Sequence, residues 1–160
     1  MDERWKPNVT VAAVIEREGR FLLVEEHTPE GLRLNNAAGH LDLGECPIDG
    51  CRREVQEETM RDFTPTALLG IYLARSIRHG NDTTYLRLAF CGSVGEEVPG
   101  RALDEGIVRT VWLTPDEVRA SRERHRSPLV VQTMEDYLAG VRHPLSLIHT
   151  DPSVQQPVVR

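Results

Sequence analysis

Residues 39–58 read GHLDLGECPIDGCRREVQEE, a glycine-rich turn followed by a strongly acidic segment. Pro47 suits the first turn of a helix, where its missing N–H costs nothing. The apolar residues after it recur at i, i+3 and i+7, which predicts a helix over residues 47–60 with one narrow stripe in the core. That stripe consists of Ile48, Cys51 and Val55.

Three glutamates lie within five residues of this predicted helix, next to Arg53: Glu54, Glu57 and Glu58. Glu54 and Glu58 are four residues apart and share one face, and each like-charged pair of this kind costs a helix ~0.2–0.5 kcal/mol. A divalent cation would offset that cost. Most acidic runs are solvated surface, but the upstream turn and Glu45 at its fixed spacing favour a site for Mg²⁺, which prefers carboxylates and phosphate oxygens.

The same stretch closely resembles the Nudix box of the Nudix hydrolases, Gly-x5-Glu-x7-Arg-Glu-apolar-x-Glu-Glu-x-Gly-apolar. The chain matches every fixed position from Gly39 to Glu58, then places Met60 where the family has glycine and Arg61 where it has an apolar residue. A residue with a Cβ pays a steric cost in the left-handed cap that glycine supplies. We therefore expect the helix to run another turn. Because the implied ligands lie upstream of the change, we expect it to shift the geometry of the site rather than to abolish its chemistry.

The resemblance implies an α/β fold, a Nudix-type α-β-α sandwich with a mixed sheet between helices. It also implies hydrolysis of phosphoanhydride bonds with Mg²⁺, or alternatively Mn²⁺. The implied metal ligands are the three carboxylates and a backbone carbonyl at the turn: Glu54, Glu57, Glu58, and Ala38 or Gly39.

The implied catalytic residues are Arg53, which orients a glutamate, and the acid that takes a proton from water. That acid is Glu54, Glu57 or a residue of the loop 96–105, where Glu97, Asp104 and Glu105 are the candidates. The sequence does not choose among them.

The sequence offers several candidates for contact with the substrate. Arginines and one asparagine, near the turn and on the strands after the helix, are candidates for binding phosphate, and two tyrosines are candidates for stacking on a base. The candidates are Arg33, Asn35, Arg75, Arg78, Arg87, Tyr72 and Tyr85.

Length and composition agree with one small domain. The chain has 160 residues and a net charge of −6, without a basic cluster suited to long nucleic acid. No apolar run approaches the ~20 residues that span a bilayer. Three cysteines without metal-ligand spacing favour reduced thiols and a cytoplasmic location. We expect residues 1–150 to form the domain and residues 151–160 a loose tail.

Periodicity and turn residues predict six extended segments, a loop over 27–33 and two helices besides the acidic one. Thr114 is the predicted cap of the second helix, and the third covers about 127–139. A last short strand is expected at 144–149. The extended segments are 8–16, 21–26, 34–41, 66–77, 83–94 and 107–113.

Resemblance over residues 5–148 to bacterial phosphatases of the same family implies orthophosphate release from nucleoside tri- and diphosphates. It also implies action on small organic pyrophosphates such as hydroxymethylpyrimidine pyrophosphate. These phosphatases are regarded as monomers, with a dimer as the alternative. Two other readings stay open: a Nudix pyrophosphatase that yields a nucleoside monophosphate, and a non-catalytic domain that senses a nucleotide, which Met60 and Arg61 favour.

Overall fold

The computed structural model describes residues 3–157 and 159, and this part of the chain contains seven strands and three α-helices. The strands are β1 (Asn8–Arg17), β2 (Arg20–Thr28), β3 (Gly31–Asn35), β4 (Ala37–His40), β5 (Phe63–Arg78), β6 (Asn81–Val94) and β7 (Ile107–Leu113). The helices are α1 (Pro47–Thr59), α2 (Pro115–Ala120) and α3 (Leu129–Leu138). Three short 3₁₀ turns follow α2 and α3, at Arg122–Arg124, Leu145–Leu147 and Pro152–Gln155.

The sheet is mixed, as predicted. Its order is β3-β2-β1-β6-β5, with β4 paired to β1 and β7 paired to β2. Only β1 and β6 run parallel; the other pairs are antiparallel. β1 pairs with β4 over Thr10–Ala13 and with β2 only at its last two residues, Glu16 and Arg17. Because β2 and β4 both lie on the same side of β1, a gap opens between them.

Hydrophobic cores cover both faces of the sheet. On one face α1 packs Cys51 and Val55 against Val11 of β1 and Phe90 of β6. On the other face α2 and α3 contribute Val118, Val130 and Met134, which pack against Val14, Phe21 and Ala89. β1 is therefore buried on both sides, which explains its continuous apolar sequence. The helix–sheet–helix layering confirms the predicted α-β-α sandwich.

Two predictions from periodicity are wrong. The segment 27–33 is not a loop, because β2 extends to Thr28 and β3 begins at Gly31, with Glu26 opposite Arg33 across the hairpin. Apolar alternation does not predict these strand residues, because several of their side chains are polar. The segment 144–149 contains a 3₁₀ turn rather than a strand. Leu145 and Ile148 both pack on the core of α1, and their spacing of three matches that helix type.

The segment expected to form a tail contains one short element. Asp151 accepts a hydrogen bond from the backbone N–H of Ser153 at 2.9 Å and caps the 3₁₀ turn Pro152–Gln155, whose residues are exposed. The boundary at residue 150 stays a prediction. Met1 and Asp2 of the expected domain, and Val158 and Arg160 of the expected tail, lie outside the described residues.

The start of α2 follows the sequence prediction closely. Thr114 accepts a hydrogen bond from the N–H of Glu117, and the Glu117 carboxylate accepts one from the N–H of Thr114, which makes a capping box with Pro115 in the first turn.

The end of α1 differs from the expectation of an extra turn. The helix stops at Thr59, and Met60 itself takes the left-handed cap conformation, with φ 60° and ψ 19°. Its N–H donates to the carbonyl of Gln56 at 3.0 Å, and its carbonyl accepts from Val98 at 2.8 Å. Arg61 is buried and donates to the carbonyl of Gly95 at 2.8 Å. Contacts with the 95–98 loop therefore hold the chain in a conformation that Met60 disfavours.

Replacing Met60 by glycine should stabilise the protein. Met60→Gly removes the steric cost of the left-handed conformation, so we expect the free energy of unfolding to rise by about 1 kcal/mol. Urea denaturation followed by circular dichroism measures the change. Met60→Ala keeps the Cβ and serves as the matched control; equal stabilisation by alanine would show that strain at this position is not the cause.

Candidate active site

Arg53 connects the turn after β4 to the acidic face of α1. Its Nε and Nη2 donate to the two oxygens of Glu45, at 3.0 and 2.8 Å. Its Nη1 donates to Glu54 at 2.8 Å and to Glu57 at 3.1 Å. Nη2 also donates to the carbonyl of His40 at 3.0 Å. One guanidinium thus fixes three carboxylates relative to the end of β4, as its fork of donors allows.

Glu45 closes the turn on its own side. The oxygen that Arg53 contacts through Nη2 also accepts a hydrogen bond from the N–H of Asp42 at 2.7 Å. Arg53 and this backbone bond both lower the pKa of Glu45, with Arg53 the larger influence. Glu45 therefore braces the loop between β4 and α1 as a stable carboxylate.

Gly39 is where β4 and α1 come closest. A Cβ at this position would overlap the carboxylate of Glu54. The N–H of the preceding Ala38 points at Glu58, at 3.4 Å. A side chain at this position would therefore displace the carboxylate of Glu54 from the strand, and the glycine of the box leaves that space free.

The acidic residues Glu54 and Glu58 are both buried. Each residue is only 8% exposed to solvent. Burial raises the pKa of Glu54, partly countered by Arg53. Burial, then the neighbouring charges of Glu54 and Glu26, raises the pKa of Glu58 to about 9. Two adjacent carboxylates in a desolvated position are unfavourable without a cation between or beside them.

These two carboxylates fit the donor set of a hard divalent cation. Both are oxygen ligands, both line the same cleft as Ala38 and Gly39, and Glu58 receives only one long hydrogen bond. Glu57, the third glutamate of the box, does not line this cleft and is bonded to Arg53. Among residues 3–157 and 159, no three acidic, histidine or cysteine side chains form a ready ligand cluster for one ion.

The three candidate acids of the 96–105 loop have different surroundings. The N–H of Asp104 donates to the carbonyl of Glu57 at 2.9 Å, and the charge of Asp104 contributes to the raised pKa values of Glu54 and Glu58. Glu97 instead lies 3.6 Å from Arg61. Glu105 forms no ion pair within the described part of the chain. Asp104 is thus the loop acid nearest the box.

A cleft of about 800 Å³ begins at Glu54 and Glu58 and runs along the hairpin of β5 and β6. Five of the candidate substrate contacts line it: Asn35, Arg75, Arg78, Tyr85 and Arg87. Two do not. Tyr72 donates to Asp136 of α3 at 2.6 Å, and Arg33 turns to the carbonyl of Leu32.

Sequence reasoning missed three residues of this cleft: Thr10, Glu26 and Arg126. Glu26 is buried on β2, and its Oε1 lies 2.9 Å from Nη1 of Arg126. In the sequence, Glu26 stands out only as an acidic residue at the end of an apolar strand. The order of the strands is needed to see that this glutamate lies near the acidic helix.

Comparison with known proteins now decides the family. The model of the NUDIX domain matches residues 5–133. This chain belongs to the Nudix hydrolase family. It is 32% identical to the phosphatase NudJ of Escherichia coli K12 over 144 residues, which cover 90% of this chain and 92% of NudJ. It is therefore a hydrolase acting on pyrophosphate-containing small molecules, in a family that generally requires a divalent metal ion.

Solved structures agree with this assignment. A NUDIX hydrolase from Nitrosomonas europaea is 51% identical, with a TM-score of 0.85 over 91% of this chain and 98% of that one. A MutT NUDIX hydrolase from Burkholderia pseudomallei shares the fold at 19% identity, with a TM-score of 0.69 over 82% of this chain and 98% of that one. None of the helices in the described residues has the length and apolar character needed to cross a membrane.

The buried carboxylate of Glu58 should cost stability when no metal is bound. Its folded-state pKa lies above its ordinary value of 4.5, so its contribution is complete below pH 4.5 and is lost as the pH rises toward 9. In EDTA at pH 8 we expect Glu58→Gln to raise the free energy of unfolding by about 1 kcal/mol or more. The gain should shrink toward pH 4.5, as measured by urea denaturation.

Glu57→Gln is the matched control for this experiment. Glu57 is more exposed and paired with Arg53, so its amide should not stabilise the protein. A gain for Glu58→Gln that is the same at pH 4.5 and pH 8 would contradict the assigned cause.

Proposed function

We propose that this Nudix hydrolase uses Mg²⁺, or Mn²⁺ in its place, to hydrolyse nucleoside tri- and diphosphates. Small organic pyrophosphates such as hydroxymethylpyrimidine pyrophosphate belong to the same proposed substrate range, and orthophosphate is the released product. The observation that carries the proposal is the pair of buried carboxylates, Glu54 and Glu58, at the base of a cleft that also contains arginines. Similarity to a phosphatase over nine-tenths of the chain supports the product.

In this proposal Glu54 and Glu58 would hold the metal ion, together with Glu57 and the carbonyl of Ala38 or Gly39. A bound ion would neutralise charge on the phosphate oxygens and lower the pKa of a water molecule bound to it. Arg53 keeps Glu54 and Glu57 in place through Nη1.

Proton removal from water requires a further carboxylate. Glu57 is suited to this role because Arg53 contacts only one of its oxygens and its side chain is partly exposed. Glu54 and the loop acid Asp104 are the alternatives.

The cleft favours a substrate with an anionic end and a variable remainder. Its inner part carries the carboxylates and Arg87, whereas its outer part is formed by the β5–β6 hairpin, with Arg75, Arg78 and Tyr85. No deep, closed pocket shaped for one base is present among the described residues, which is consistent with an enzyme that tolerates several leaving groups.

The sensing alternative has lost its main support. It relied on Met60 and Arg61, which replace a glycine and an apolar residue of the box. Met60 nevertheless adopts the left-handed cap that glycine would supply, and α1 ends there with its carboxylates in the cleft. The substitution therefore leaves the geometry of the box intact, and a catalytic role agrees better with it.

The products of GTP hydrolysis test the proposal. With GTP and Mg²⁺, we expect orthophosphate and GDP as the first products, identified by ³¹P NMR over the first tenth of the reaction. EDTA should abolish turnover, and Mg²⁺ or Mn²⁺ should restore it. Release of pyrophosphate and GMP without orthophosphate would instead establish the pyrophosphatase alternative.

Loss of either box carboxylate should impair turnover strongly. We expect Glu57→Gln and Glu58→Gln each to lower kcat at least ~10²-fold, the scale of a misplaced or missing catalytic group. Asp49→Asn is the matched control, since Asp49 lies on the same helix but is exposed and pairs only with Arg52. Rates that match wild type in both glutamine variants would refute these assignments.

A further inference from the structure

We propose that Thr10, Glu26, Arg87 and Arg126 form a phosphoryl-binding site, here called the strand floor, in the same cleft as the carboxylates of α1. Arg87, Arg126 and the hydroxyl of Thr10 contact the phosphoryl oxygens, and Glu26 positions Arg126. This inference rests on the proposed function and adds to it the residues that recognise the anionic end of the substrate.

The strand floor is built from rigid parts of the sheet. Thr10 lies on β1, Glu26 on β2 and Arg87 on β6. Thr10 and Arg87 are register partners in the only parallel pair, so their side chains emerge side by side on one face. Their exposed fractions are 7% for Thr10, 8% for Glu26 and 7% for Arg87, and all three line the cleft.

These buried groups are short of partners within the protein. The hydroxyl of Thr10 and Oε1 of Glu26 have no hydrogen-bond partner among the described residues. Arg87 makes one long bond, from Nη1 to the side-chain oxygen of Asn36 at 3.4 Å, and no ion pair in the described part of the chain. Native proteins seldom leave buried polar groups unpaired. The unpaired hydroxyl of Thr10 and the weakly bonded guanidinium of Arg87 lie side by side in one cleft, which indicates a polar ligand.

The charges at the floor indicate an anion. Burial lowers the pKa of Arg87 to about 10, which still leaves the guanidinium charged at neutral pH. The charge of Arg126 acts on Arg87 in the same direction as burial, while Glu58 and Glu26 oppose it. A buried arginine near a second arginine, without a carboxylate in contact, is stabilised when a phosphoryl group binds both.

Arg126 is placed by two contacts. Its backbone N–H donates to the carbonyl of Leu34 at 2.9 Å, which ties the segment before α3 to β3. Its Nη1 lies 2.9 Å from Oε1 of Glu26, though without the geometry of a hydrogen bond. Half of the Arg126 side chain is exposed to the cleft. Glu26 thus holds the guanidinium near the floor and leaves its other nitrogens for a ligand.

The position of the strand floor determines how a substrate is oriented in the cleft. Glu54 and Glu58 line the same cleft, and the charge of Glu58 acts on Arg87, so a phosphoryl group on the floor lies near the box carboxylates. The organic part of the substrate then points along the β5–β6 hairpin toward solvent. Recognition depends on the phosphoryl end and not on the base.

Equilibrium binding of imidodiphosphate, a pyrophosphate analogue that is not hydrolysed, tests the floor without turnover. With Mg²⁺ present, we expect Arg87→Gln to raise the Kd by about tenfold or more, as lost charge-assisted bonds do. Arg87→Lys should recover part of the affinity, and Thr10→Val should weaken binding less. KM for GTP and the inhibition constant of orthophosphate should rise in parallel with the Kd.

Arg20→Gln is the matched control, because Arg20 is exposed and contacts only the carbonyl of Trp112 and the carboxylate of Glu117. It should leave Kd and KM unchanged. A thermal melt of each variant checks the fold. Should Arg87→Gln not fold, Arg126→Gln and Thr10→Val carry the same test, since removal of either side chain should also raise the Kd.

The outcomes separate this proposal from the proposed function. Unchanged Kd and KM in folded Arg87→Gln and Arg126→Gln would overturn the floor while the enzyme still hydrolysed GTP. A lower kcat with unchanged Kd would assign Arg87 to the chemical step rather than to binding of the phosphoryl group, and would also overturn the floor. If wild type bound imidodiphosphate through Arg87 but released no orthophosphate from GTP, the floor would stand and the proposed function would fail.

Discussion

The arrangement of the candidate site depends on one guanidinium. Arg53 contacts Glu45 in the turn, Glu54 and Glu57 on the helix, and the last carbonyl of β4. A loop of six residues separates α1 from β4. The fork of Arg53 ties the acidic face of the helix to this loop and to the strand, in addition to the apolar contacts of α1, and it compensates part of the charge that the box concentrates there.

Burial of the two carboxylates Glu54 and Glu58 lowers the stability of the folded protein at this site. The core stripe of α1 packs Cys51 and Val55 on the sheet, and the adjacent face presses Glu54 and Glu58 against the end of β4. The apolar contacts keep the helix where its carboxylates are desolvated, and the missing side chain of Gly39 leaves the necessary space. Burial of this kind is unfavourable alone. It becomes useful once a cation and an anionic substrate share the cleft.

Local sequence information was sufficient where one segment determines its own structure. The start of α1 at Pro47, the capping box at Thr114 and the doubly buried β1 follow from propensity and pattern, and the box located the acidic face. It was insufficient where distant segments decide. β3 exists because it pairs with β2, and Met60 takes a left-handed cap because the 95–98 loop binds its carbonyl and the side chain of Arg61.

The same distinction explains why Thr10 and Glu26 were missed in the sequence. The box lies within one contiguous stretch, whereas these two residues come from separate strands that only the sheet order brings near it. Parallel pairing of β1 with β6 places Thr10 beside Arg87, and the early separation of β2 from β1 leaves a gap in which Glu26 faces the helix. One side of the cleft thus follows from a motif and the other from the order of the strands, so substitutions on the strands can change the second side and leave the carboxylates of the box in place.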